Sequence, residues 1–143
     1  MSSDEYRVFI SGGTGVIGRR VVPLLLTAGH QVTAIARTET KAAALEALGA
    51  RPVQIDIFSK PQVLDEVADH DVVLHLATNI PTGSRAALKS AWRTNDRLRS
   101  EAAANLAAAA IQTDSKRYVG ESITFPYVDL GDEWIPESAE RSH

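Results

Sequence analysis

The residues most open to chemical reading are Ser11-Gly12-Gly13-Thr14-Gly15-Val16-Ile17-Gly18, set between a short apolar run and a helical stretch. Gly12, Gly15 and Gly18 form a G-x-x-G-x-x-G series. Glycines bare the backbone, so an anion can approach it closely. The following helix turns its free N–H groups and its positive dipole end toward that anion. In such a loop the first glycine makes the tight turn and the last lets the helix pack on the strand. A structural glycine-rich turn is the alternative. The position between a buried strand and a helix, inside repeated strand–helix units, favours a pyrophosphate site of the dinucleotide-binding kind. Gly12, Gly13, Thr14, Gly15, Val16, Ile17 and Gly18 are all candidate contacts.

The end of the second strand selects between dinucleotides. An acid there holds a ribose 2′-hydroxyl, whereas an arginine accommodates a 2′-phosphate. Here the strand ends Ile35-Ala36-Arg37-Thr38, and no acid occurs before Glu39. The Arg37 guanidinium can pair with a phosphate and stack on adenine. NADP(H) is therefore expected over NAD(H), the alternative being that Arg37 is a solvated surface residue. Asp56 could accept the adenine amino group while Ile57 covers the ring; a plain strand-ending aspartate is the competing reading. Leu76-Ala77-Thr78 ends the fourth strand beside the switch point, where small residues leave room for the nicotinamide ribose.

Other constellations point nowhere. His30, His70, His75 and His143 lack metal-ligand spacing, and H-E-x-x-H, G-x-S-x-G and Walker A patterns are absent from the sequence. His75 lies near the expected site but reads as structural. Trp92 and Trp134 have no basic neighbours arranged for base stacking. Arg93, Arg97 and Arg99 share their helix with Asp96 and Glu101 and read as a solvated face.

Those groups need a scaffold, and hydrophobic periodicity supplies one. Strands are expected at 7–11, 31–36, 53–57, 71–76 and 116–121, helices at 16–28, 41–48, 59–68 and 85–112. The first helix should bury Val21, Leu24, Leu25 and Ala28, distort slightly at Pro23 and stop at Gly29; Gly49 should close the second. Ser59-Lys60-Pro61-Gln62 has capping-box spacing. From Phe125 onward an acidic, turn-rich tail follows. Alternating strands and helices imply an α/β fold, a Rossmann-like doubly wound parallel sheet of about five strands in order 3-2-1-4-5 within three α/β/α layers. One domain, residues 1–143, is expected.

Composition agrees. The 143 residues are 44% hydrophobic and 23% charged, typical of a globular domain. A net charge of −3 argues against a nucleic-acid binder. The chain has no cysteine, no apolar leader and no run long enough to span a membrane, so a cytoplasmic protein without membrane contact is expected.

The stretches SGGTGVIG (11–18), ARPVQIDI (50–57), DVVLHLAT (71–78) and KRYVGES (116–122) resemble, in order and spacing, the extended or atypical short-chain dehydrogenase/reductase group, the NAD-dependent epimerase/dehydratase family. The resemblance implies a serine after the fifth strand, which Ser122 matches, and a Tyr-x-x-x-Lys pair whose lysine lowers the tyrosine pKa. Tyr127 follows Ser122 closely, but Gly131 stands where the lysine would. The family pattern N-x-x-G-T-x-N-L-x-x-A-A aligns through Asn105 and Leu106 and puts Arg99 at the usual asparagine; Asn95, one turn earlier, is a substitute or a polar surface residue. Residues 123–143 resemble the acidic segment before the catalytic helix. The resemblance thus covers the family's amino-terminal half.

Three functions follow as expectations. The first is a dinucleotide-binding domain, not catalytically complete alone. The second is an active NADP-dependent oxidoreductase or epimerase using Ser122, with weaker support for Tyr127, its site completed by oligomerisation. The third is an interaction protein with a vestigial site. An open fifth-strand edge would invite a homodimer or another partner.

Overall fold

A computed structural model describes residues 5–123 and 127–141; Phe125 and His143 lie outside them. The elements run β1 (Arg7–Ser11), α1 (Gly18–Thr27), β2 (Gln31–Ile35), α2 (Glu39–Leu48), β3 (Arg51–Val53), α3 (Lys60–Val67), β4 (Val72–His75), a 3₁₀ turn (Gly83–Ala87), α4 (Lys89–Arg97), a π turn (Leu98–Ala102), α5 (Ala103–Gln112) and β5 (Arg117–Gly120). The five strands form one parallel sheet in the expected order, β3-β2-β1-β4-β5.

β1 is central and buried on both faces. Val8 and Ile10 pack with Val22 of α1, Val32 and Ala34 of β2 and Leu45 of α2. Phe9 points the other way, among Val63 and Val67 of α3, Val73 of β4 and Leu106, Ala109 and Ala110 of α5. This period-two division of one strand between two helical layers makes the three-layer arrangement.

Both early helices end as their glycines require. Gly29 (φ +88°) and Gly49 (φ +95°) adopt left-handed backbone. His30 N–H bonds the Leu25 carbonyl and Gly29 N–H that of Leu26; Ala50 and Gly49 repeat the pattern on Leu45 and Glu46. These are Schellman closures. α1 runs through Pro23 without interruption.

Several expected boundaries shift. α1 buries Gly18 and Val22, with Leu25 and Leu26 packed behind, while Leu24 is 68% exposed. Of the expected stripe Val21, Leu24, Leu25 and Ala28, only Leu25 packs on the core, because Gly18 must lie against the glycine turn, which fixes the buried face at 18, 22, 25 and 26. α2 begins at Glu39, since the Thr38 hydroxyl accepts from Lys41 N–H at 3.3 Å and caps it. β3 stops at Val53, where its partner strand β2 ends, rather than occupying 53–57. The capping box does not form: Ser59 makes no side-chain cap, and Gln62 Oε1 instead accepts from Asp56 N–H at 2.9 Å. The long helix expected at 85–112 is divided, because Leu88 is extended (φ −94°, ψ 115°) and the π turn separates α4 from α5. No helix among the described residues is long and apolar enough to cross a membrane.

Candidate functional site

Above the carboxyl ends of the strands, at the β1/β4 switch point, lies a cleft of about 620 Å³. That volume suits a small-molecule or cofactor site, and the place in the fold is where open α/β sheets bind ligands. Gly12, Thr14, Gly15, Val16 and Ile17 line it from the glycine loop. Gly13 and Gly18 are buried behind that loop.

Two glycines hold the loop in place by having no side chain. Gly12 has φ +85°, and a Cβ there would stand 2.6 Å from Ala77 N and from the Leu76 carbonyl carbon. A Cβ on Gly18 would stand 2.1 Å from the Gly12 oxygen. The loop is thus pressed between the end of β4 and the start of α1. The first turn of α1 has no side-chain cap and no acid, so no carboxylate opposes its positive dipole end where an anion would lie.

Beneath the loop, Ser11 and His75 are register partners on β1 and β4. The Ser11 hydroxyl lies 2.6 Å from His75 Nδ1, and His75 Nε2 lies 2.9 Å from the Leu98 carbonyl. A carbonyl only accepts, so Nε2 carries the hydrogen and Ser11 O–H donates to a bare Nδ1. Burial holds the His75 pKa below its ordinary value, which keeps this neutral tautomer. His75 is structural, as its sequence context suggests. The Leu98 carbonyl it meets belongs to the π turn, where it also accepts from Ala103 N–H.

On the β2–β3 side the cleft is lined by Arg37 together with Lys41, which the sequence reading missed because it began α2 two residues late. Glu39, the first acid after β2, is engaged at 3.1 Å by Gln54 Nε2. Asp56 and Ile57 line the same side. Asp56 Oδ1 accepts from Phe58 N–H at 2.9 Å, and Asn105 Nδ2 donates to the Ile57 carbonyl at 3.2 Å. The 55–58 stretch, free of the sheet beyond Val53, is therefore anchored by a local turn and by α5.

On the β4–β5 side lie Leu76, Ala77 and Thr78, as expected, with Ile80, Leu98 and Glu121. Asn95 is 3% exposed and its Oδ1 accepts from Asn79 N–H at 3.1 Å, which corrects its reading as a surface residue. Arg97 stacks over Phe58, 3.8 Å from the ring centroid, and pairs with Glu101. Arg99 Nη2 holds both carboxylate oxygens of Glu121, at 3.0 and 3.3 Å. Arg93 and Arg97 are exposed, as a solvated face requires, whereas Arg99 is partly buried; its contact with Glu121, 22 residues away, leaves no local sequence signal. Ser122 is exposed and Tyr127 half-buried, bridged to Arg141; neither lines the cleft. No group of three metal-ligating side chains occurs among the described residues.

This arrangement can hold an anion at the glycine loop, a polyanionic group near Arg37 and Lys41, and planar or apolar groups along either arm. A family model described as NAD(P)H-binding matches residues 12–136. The chain is 33% identical over 135 residues to a 3-diazoavenalumate denitrifying reductase of Streptomyces sp, covering 93% of this chain and 43% of that protein. It is 32% identical over 131 residues to the photosystem II assembly factor Ycf39 of Synechocystis sp., covering 88% and 37%. The structure of UDP-glucose-4-epimerase from Stenotrophomonas maltophila with bound NAD superposes with a TM-score of 0.78 at 22% identity, covering 96% of this chain and 43% of that one. The chain spans less than half the length of each of these relatives.

Proposed function

Since the chain belongs to the NAD(P)H-binding family, as a Rossmann domain of the extended short-chain dehydrogenase/reductase group, we propose that its cleft binds NADP(H) in preference to NAD(H). The observation carrying this preference is the pair of cations on the β2–α2 side. Arg37 and Lys41 line the cleft there, while Glu39, the first acid after β2 in the chain, lies outside the lining and is hydrogen-bonded by Gln54. A 2′-phosphate would meet two cations at that strand end. The pyrophosphate would lie on the loop from Gly12 to Ile17, where the close fit of Gly12 against Ala77 leaves bare backbone facing the cleft.

The domain is a cofactor-binding unit that does not itself complete redox chemistry. Its tyrosines, Tyr6, Tyr118 and Tyr127, are followed four residues later by Ile10, Ser122 and Gly131, never by lysine. Ser122 lies outside the cleft lining. The relatives' names cover both a reductase and an assembly factor, so binding with or without turnover is consistent with the family. β5 lies at the end of the sheet order with Val119 44% exposed, which supports pairing with a second copy or a partner along that edge.

Calorimetric titration with NADPH and NADH tests the reading. Arg37→Ala and Lys41→Ala should each weaken NADPH binding by roughly tenfold or more, the worth of a charge-assisted hydrogen bond, and leave NADH nearly unchanged. Equal affinity for the two nucleotides in the unaltered protein would remove the NADP(H) preference; binding of neither would remove the cofactor function.

A further inference from the structure

The cleft has a second arm, and its polar equipment differs from the first. Arg37, Lys41 and Asp56 occupy the β2–β3 side, and the glycine loop lies at the middle. On the reading above, on which this inference rests, the adenosine half lies toward Arg37 and the pyrophosphate on the loop. The nicotinamide half must then extend over the ends of β4 and β5. There Leu76, Ala77, Ile80 and Leu98 supply apolar surface, and Glu121 is the one charged lining side chain among the described residues of that arm.

Glu121 is fixed from two directions. Its N–H donates to the His75 carbonyl at 2.9 Å, which seats the residue on the β4–β5 seam. Its carboxylate is gripped by Arg99 Nη2 at 3.0 and 3.3 Å. Arg99 extends from the π turn, and that turn is itself fastened to β4 by the His75–Leu98 bond. A carboxylate offers about four lone-pair sites, so Arg99 leaves acceptor capacity on an oriented group. An ionised carboxylate accepts and cannot donate. Phosphates and carbonyls are therefore poor partners for it, whereas an amide N–H₂ is a good one.

We propose that Glu121, with Arg99 as its positioning residue, accepts a hydrogen bond from the carboxamide N–H₂ of the nicotinamide and so fixes the redox end of the dinucleotide. The adenosine end then meets two cations besides Asp56 and the nicotinamide end an anion alone, which gives the cleft a direction.

The test titrates the full chain with three ligands: NADP⁺, its 3-acetylpyridine analogue (a methyl group in place of the amide nitrogen), and 2′-phospho-ADP-ribose, which lacks the nicotinamide. The corresponding NAD⁺ set is run in parallel. The unaltered protein should bind the carboxamide dinucleotide about tenfold or more tightly than the acetylpyridine analogue, the worth of a hydrogen bond to a charged group. In Glu121→Ala this discrimination should vanish while 2′-phospho-ADP-ribose binds as before. Arg99→Ala should reduce discrimination without touching the ligand directly. A structural role alone would alter all three ligands together, so a parallel loss in Glu121→Ala overturns the proposal. Equal binding of amide and acetyl ligands by the unaltered protein also overturns it, as does discrimination retained in Glu121→Ala. Binding of none of the ligands overturns the dinucleotide reading and this inference with it.

Discussion

Gly12→Ala and Gly29→Ala form a matched pair that tests the geometry of the glycine loop. Both residues have left-handed backbone, at φ +85° and +88°. An L side chain costs about 1–2 kcal/mol in that region, and this cost is common to both. They differ in space. A Cβ on Gly29 meets nothing within 4 Å, whereas one on Gly12 lands 2.6 Å from backbone atoms of Leu76 and Ala77. Backbone cannot swing aside as a side-chain tip can, so the contact adds an overpacking cost of about 1–3 kcal/mol. Gly12→Ala should therefore lose roughly 2–5 kcal/mol in total and Gly29→Ala only about 1–2. For a domain of this size each kcal/mol lowers Tm by about 2–4 °C. Thermal and urea unfolding followed by circular dichroism measures both variants. Equal losses at the two sites would refute the claim that β4 presses on the loop, because only that contact separates them.

Three further outcomes follow. Ser11→Ala strips the donor from a buried His75 Nδ1 and should cost about 1–3 kcal/mol in urea unfolding; an unchanged midpoint would mean the bond contributes nothing. His70 and His75 both have pKa values lowered first by burial, from 6.5. The unfolded chain then takes up protons near pH 6.5 that the folded chain refuses, so these groups make stability fall as pH drops below about 6.5 and leave it flat above. Urea midpoints between pH 8 and 5 should show that decline, with a shallower slope in His70→Gln; a slope identical to the unaltered protein's would remove His70 as a contributor. Asn105→Ala leaves the Ile57 carbonyl without its donor and should cost about 1–3 kcal/mol. It should also speed amide exchange at residues 55–58, and unchanged exchange there would contradict the anchoring role.

What the sequence made legible was local. The strand–glycine–helix unit from Arg7 onward, the stops at Gly29 and Gly49, and the sheet order all follow from short-range patterns and chain chirality. The phase of α1 was misread because Leu24 and Val22 are equally apolar, and only the seat of Gly18 decides between them. β3 was read long because Gln54 to Ile57 keeps a strand-like pattern, although β2 ends before it can pair. The extended residue at Leu88 and the π turn have no compositional mark in an alanine-rich stretch. Lys41 was hidden by the unrecognised Thr38 cap. The Arg99–Glu121 pair joins residues 22 positions apart on different elements, which no periodicity encodes. Of the cleft lining, the loop, Arg37, Asp56, Ile57 and the 76–78 stretch were readable, whereas Lys41 and the Arg99–Glu121 pair were not.

The central position of β1 also makes its two joints unequal in chain entropy. β1 meets β2 through Arg7↔Gln31, a separation of 31 − 7 = 24 residues, and meets β4 through Val8↔Val72, a separation of 72 − 8 = 64. Closing the longer loop costs about 0.9 kcal/mol more in chain entropy, from the logarithm of that ratio. The β3-β2-β1 half is thus the one whose joints cost less chain entropy to close. The cleft lies across the β1–β4 joint, with one arm on each half. A dinucleotide bound there, as proposed above, would act as a clasp over the joint that costs more chain entropy to close. It would slow the opening of the β4–β5 half more than it strengthens either half taken alone.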